Sequence, residues 1–152
     1  MTAYGWRTGE RKIETIWQLA TWSQKTKWGK VFDNTTGFIF PDGTIHSPVV
    51  SWVELSRIKS IEPNPDEFLP LVPDFAIEFR DRAEQDLSED RAKMQVYKDS
   101  GVRLSWLINF PDRQVEIYHI DRDPGVLEFP STISGEDVLP WFELNLSNLW
   151  DS

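Results

Sequence analysis

Two side chains of opposite charge stand two residues apart in the most regular stretch of the sequence. Over 74–80 (Asp-Phe-Ala-Ile-Glu-Phe-Arg) the residues alternate as in a strand. Phe75, Ile77 and Phe79 fall on one face and Asp74, Ala76, Glu78 and Arg80 on the other. A helix is expected over 89–100, capped by Ser88 and stopped by Gly101, and it carries Lys93. A carboxylate and cations converging at a strand–helix junction suit phosphodiester hydrolysis. The carboxylate would hold a hard divalent cation, Mg²⁺ or Mn²⁺. The metal would polarise the phosphate and activate water, and the cation would stabilise developing charge. A strand Glu beside an Arg is also the ordinary make-up of a cross-strand ion pair, and spacing alone does not separate the two. His46, two residues before Pro48, is either a general base or a solvent-facing turn residue. His119 ends a strand and has no chemical assignment.

The elements that must position these groups read as follows. Ile13, Ile16, Trp17 and Ala20 have the spacing of an amphipathic helix over 10–27, ended by Gly29. Short strands are expected at 30–33 and 37–40, then a turn at Pro41-Asp42-Gly43 and a strand at 48–54. Residues 59–73 hold Pro63, Pro65, Pro70 and Pro73 and read as a long connection. A hairpin is expected from 103–109 and 114–120, an edge strand at 126–129, and an apolar tail at 138–150 that wraps back on the core. No internal repeat or low-complexity tract interrupts the chain, so residues 1–152 are read as one domain: an N-terminal helix followed by the sheet core. The class is α/β, a mixed β-sheet flanked by α-helices.

Six segments in this order resemble a family of restriction-endonuclease-like proteins within the PD-(D/E)XK superfamily. They are Thr36-Gly37-Phe38-Ile39-Phe40-Pro41-Asp42-Gly43, Ser47-Pro48-Val49-Val50-Ser51-Trp52-Val53 and Pro73-Asp74-Phe75-Ala76-Ile77-Glu78-Phe79-Arg80. The others are Lys93-Met94-Gln95-Val96-Tyr97, Gly101-Val102-Arg103-Leu104-Ser105-Trp106-Leu107-Ile108 and Ser134-Gly135-Glu136-Asp137-Val138-Leu139-Pro140. The resemblance spans about residues 30–150 and implies a metal-dependent nuclease on a restriction-endonuclease-like mixed sheet. It implies that Glu78 is the metal-binding glutamate, that Lys93 is the lysine this branch carries on the following helix, and that Arg80 occupies the general motif's lysine position. Glu14 matches a further acidic residue on the first helix. One position departs: the family reads Ser-Pro-Asp where this chain has Ser47-Pro48-Val49. Valine cannot ligate a metal, so the implied Mg²⁺ or Mn²⁺ site is short of a carboxylate. Asp42, Asp81 and Glu14 are the candidate replacements, Asp81 first by proximity. Alternation along the strand would put Asp81 on the face opposite Glu78.

Composition limits the alternatives. The chain has a net charge of −9, against tight nonspecific nucleic-acid binding. The charge is uneven: residues 1–30 carry six cations and two acids, a net +4, leaving −13 for the remainder. There is no cysteine, hence no thiolate zinc site. No apolar run is long enough for a transmembrane helix, and residues 1–10 lack a signal-peptide core, so a cytoplasmic location is expected. Three functions stay open. The first is a DNA-cleaving enzyme with an altered site, in which case a homodimer is a further expectation. The second is a nuclease-like binding or regulatory protein without cleavage. The third is a protein-interaction module in which Trp6, Trp22 and Trp28 form an exposed aromatic patch.

Overall fold

A computed structural model describes residues 5–150. The elements in chain order are α1 (Trp6–Thr26), β1 (Gly29–Asp33), β2 (Phe38–Ile39), β3 (Ile45–His46), β4 (Val50–Glu54) and α2 (Leu55–Ile61). Then follow β5 (Phe75–Arg80), α3 (Leu87–Asp99), β6 (Leu104–Asn109), β7 (Gln114–His119), β8 (Arg122–Glu128), β9 (Thr132–Ser134), β10 (Glu143–Asn145) and α4 (Ser147–Trp150). Six strands form one sheet in the order β1-β4-β5-β6-β7-β8. All neighbours are antiparallel except β5 and β6, which run parallel and are joined through α3. This is the expected mixed sheet flanked by helices.

β5 is central, and all six of its residues are buried. A strand covered on both faces needs two cores, and there are two. Phe75, Ile77 and Phe79 join α1 and the C-terminal tail in one cluster, with Leu19, Trp22, Leu144, Leu149 and Trp150. Ala76 joins α3 and the β2–β3 hairpin in the other, with Met94, Tyr97, Phe38 and Phe40. The tail wraps back as expected. β8 is longer than expected and exposed throughout; Pro124 within it is tolerated because an edge strand has a free side.

Three local expectations change. The helix α1 forms, but it buries Arg11, Thr15, Leu19, Trp22 and Ser23, leaving Ile13 and Trp17 exposed at 68% and 62%. Its inner face is set by what Arg11 meets. The guanidinium lies 3.8 Å from the Phe110 ring centroid, and Nε donates to the Leu149 carbonyl at 3.1 Å. Helix α2 occupies the start of the expected connection; Leu55, Ile58 and Ile61 recur every third residue, and Ile58 packs part-buried on the α3-side cluster although none of the helix is fully buried. The cap of α3 is Asp86, whose carboxylate accepts from the Ser88 N–H at 2.9 Å, rather than Ser88 itself.

Gly29 follows α1 but does not stop it. Lys27 does, with φ 59° and its N–H donating to the Ser23 carbonyl. Gly29 serves a close approach: a Cβ there would lie 2.3 Å from the Trp52 ring.

Candidate functional site

The alternation of β5 turns Glu78 toward α3. On α3, Lys93 and Tyr97 are four residues apart and share one face. The Tyr97 hydroxyl donates to Glu78 Oε2 at 2.6 Å, and Lys93 Nζ lies 3.6 Å from Oε1. Glu78 and Tyr97 are buried, whereas Lys93 is half-exposed. Burial pushes the Glu78 carboxyl above its ordinary range; Lys93 and the Tyr97 hydrogen bond oppose this, and Asp90 adds to it. Burial and the neighbouring Glu78 push the Tyr97 hydroxyl up.

The β2–β3 hairpin reaches the same group. The His46 ring lies 4.4 Å from Phe40 and 5.8 Å edge-on from Tyr97. His46 Nε2 is 2.9 Å from Thr44 Oγ1, and that hydroxyl donates to Asp42 Oδ1 at 2.5 Å. With the Thr44 hydrogen spent on Asp42, neutral His46 carries its proton on Nε2 and leaves Nδ1 as the acceptor. Burial lowers the His46 pKa; Asp42 opposes this, and Lys93 reinforces it. Thr44 hydrogen bonds hold the Asp42 carboxyl low. His46 thus lies beside Glu78 through Tyr97, partly buried rather than on a free turn.

A second carboxylate lies under the same helix. Register sets Glu78 across from Leu107 and Leu107 across from Glu116, so both carboxylates share one face of the sheet. One strand separates them, about 9.5 Å at ordinary strand spacing, too far to share one ion. Glu116 Oε2 accepts from Arg91 Nε at 2.9 Å and Nη2 at 2.7 Å, and Oε1 accepts from Tyr118 at 2.7 Å. The hydrogen bonds to Glu116 raise the Arg91 pKa.

The remaining candidates do not gather around Glu78. Asp81 faces Arg11 at 3.6 Å on the α1 side, as alternation anticipated, and burial pushes its carboxyl up. Glu14 lies on α1, lining a cleft with Ile13, Trp17 and Ser147, on the other side of the sheet. The three acidic residues Glu78, Asp81 and Glu14 therefore do not make a common ligand set. Arg80 is buried and committed to the fold. It donates to the carbonyls of Ala83 and Gln85 at 2.9 and 3.1 Å, to Asn109 Oδ1 at 3.0 Å and to Asp112 Oδ2 at 3.3 Å. Val49 is partly buried and packs against the α1-side cluster. Like Glu78, it is one residue beyond the last β4–β5 pair, Val50 with Ile77. Among the described residues no three His, Cys, Asp or Glu side chains are placed to hold a metal ion. Mg²⁺ usually keeps several waters and is held through one or two carboxylates. Here the one carboxylate, Glu78, is already engaged by Tyr97 and Lys93, so the described residues fit that ion poorly.

Of the three tryptophans, Trp22 and Trp28 meet edge to face at 6.1 Å, but Trp22 is buried against Trp52 and Phe142, Trp28 is partly exposed and also pairs with Trp141, and Trp6 lies at the opposite end of α1. Tyr97, Glu116, Arg91 and Tyr118 have no role in the sequence reading. Tyr97 lies four residues after Lys93 and Tyr118 two after Glu116, both local spacings, whereas the pairing of Arg91 with Glu116 depends on how α3 packs across the sheet.

The structure is similar to that of a nuclease-fold protein described as "a putative nuclease belonging to DUF820" from Anabaena variabilis ATCC 29413. The TM-score is 0.81 at 15% identity, covering 99% of this chain and 83% of that one. No curated protein matches. Residues 1–147 match the Uma2 family, described as "Putative restriction endonuclease". With that match running over nearly its whole length, the chain belongs to the Uma2 family.

Proposed function

We propose that this chain is a nuclease-like, DNA-directed protein whose phosphodiester-cleaving centre is incomplete. The observation that carries this reading is the state of Glu78. It is a buried carboxylate held by Tyr97 and Lys93, with no partner carboxylate among the described residues completing a metal set. Val49 stands where the resemblance expects the second ligand, and it packs with apolar side chains instead. A metal ligand must be ionised, and burial favours the protonated form of Glu78, which weakens metal binding further. Family membership and the shared fold support the nuclease-like part of this reading; impaired cleavage rests on the site's own geometry.

The chain's own groups around Glu78 still carry chemistry. Lys93 offers a half-exposed cation for a phosphate oxygen, and His46 offers Nδ1 as an acceptor. The test is plasmid cleavage with Mg²⁺ or Mn²⁺ by this chain, Val49→Asp and Glu78→Ala. The expected outcome is no metal-dependent cleavage by this chain and a gain in Val49→Asp. Cleavage by this chain that disappears in Glu78→Ala would show a working centre and overturn the reading.

A further inference from the structure

On the α1 side of the sheet, a cleft of about 570 Å³ is lined by Arg7, Arg11, Arg82 and Arg113. Asp81 is the one acidic residue in its lining. This is a concentration of positive charge in a chain of net charge −9. Among the described residues Arg7, Arg82 and Arg113 make no ion pair. Aromatic faces support Arg113, 5.0 Å from Phe129, and Arg7, 5.6 Å from Trp6, and both are exposed, so their N–H edges stay open for another acceptor. Arg11, 3.8 Å from the Phe110 centroid, is buried and spends its N–H groups on the Leu149 carbonyl and Asp81, so it adds charge to the cleft floor rather than a free fork. Helix α1 also starts here, with no side-chain cap and no acidic residue in its first turn, so its positive end adds to the field.

From these features we infer that the cleft binds the phosphates of a single-stranded nucleic acid. Arginine forks match phosphate oxygens, and Trp6, 72% exposed, offers a ring on which an unpaired base can stack. A duplex keeps its bases stacked and leaves that ring unused. The inference rests on the nuclease-like reading only for the class of ligand.

The test is fluorescence anisotropy of a labelled oligothymidylate of about twenty nucleotides, in EDTA, across a salt series. Arg7→Gln with Arg113→Asn removes two cations; asparagine suits position 113, where φ is 52°. Lys25→Gln with Lys27→Asn removes the same charge at the other end of α1, with asparagine at φ 59°. The expected result is that the arginine pair lowers the slope of log affinity against log salt by about 1.4, two single-strand contacts. The lysine pair is expected to leave it unchanged, and Trp6→Ala to weaken binding about fivefold or more. Equal losses in both pairs, binding unchanged by the arginine pair, or no binding by the parent chain would overturn the inference. Displacement by inorganic triphosphate at matching affinity would also overturn it, in favour of a small-anion site. Because metal is absent, cleavage results bear on the reading above and not on this site.

Discussion

Two carboxylates lie under α3, each with a tyrosine and a cation, and they end in different states. Glu116 receives a two-pronged grip from Arg91 and a hydroxyl from Tyr118. Glu78 receives one hydroxyl at 2.6 Å and an ammonium only at 3.6 Å. The planar guanidinium matches carboxylate geometry, and the flexible ammonium of a half-exposed lysine does not. A fully paired carboxylate and an under-compensated one can thus be made from the same three kinds of group. What separates them is how completely the buried charge is compensated.

The largest effect is expected from breaking the full pairing. Arg91→Met leaves Glu116 buried with one donor and should cost roughly 2–3 kcal/mol. That is below the range for fully buried pairs because Arg91 is half-exposed. Urea unfolding measures it, and a loss under about 0.5 kcal/mol would erase the distinction. Next, Tyr97→Phe removes the closest donor to Glu78 and should cost roughly 1.5 kcal/mol. Tyr118→Phe, with Arg91 still in place, should cost less in the same assay. Lys93→Met should be the mildest, roughly 0.5–1 kcal/mol, because solvent screens that pair.

The comparison also sets a pH dependence. Glu78 has its folded pKa raised, so the native state binds the proton more tightly than the unfolded chain. Its contribution to stability is present below the ordinary glutamate pKa and is lost as pH rises through the folded value. Glu78→Gln should remove that fall and be the more stable protein at neutral pH. Denaturant midpoints of the two proteins across pH check it; parallel curves would contradict it.

How far the sequence reveals this depends on where the deciding contacts lie. Alternation over 75–80 is local, and it places Phe75, Ile77 and Phe79 in one core and Glu78 on the other face, as found. The outward face of α1 is not local. Ile13 and Trp17 look like core residues, yet the inner face is set by contacts from Arg11 to Phe110 and Leu149, far along the chain. Lys93 and Tyr97 are visible as a helical pair, but which of them touches Glu78 more closely is a matter of side-chain reach. Glu116 has no sequence signal linking it to Arg91; β6–β7 register and the packing of α3 on that face of the sheet bring them together. Through the resemblance, Val49 reads as a missing ligand, and alternation already sets Asp81 on the face opposite Glu78. The structure adds that Glu14, on α1, lies on that other side as well.

On the proposed reading, Glu78 is an under-compensated carboxyl that does not hold a divalent ion by itself. Carbon-13 NMR of the Glu78 side-chain carboxyl, titrated over pH with and without Mg²⁺, tests this. The expected result is a midpoint above the ordinary glutamate range that Mg²⁺ leaves in place. A midpoint at or below that range, or one that Mg²⁺ drives down, would contradict it.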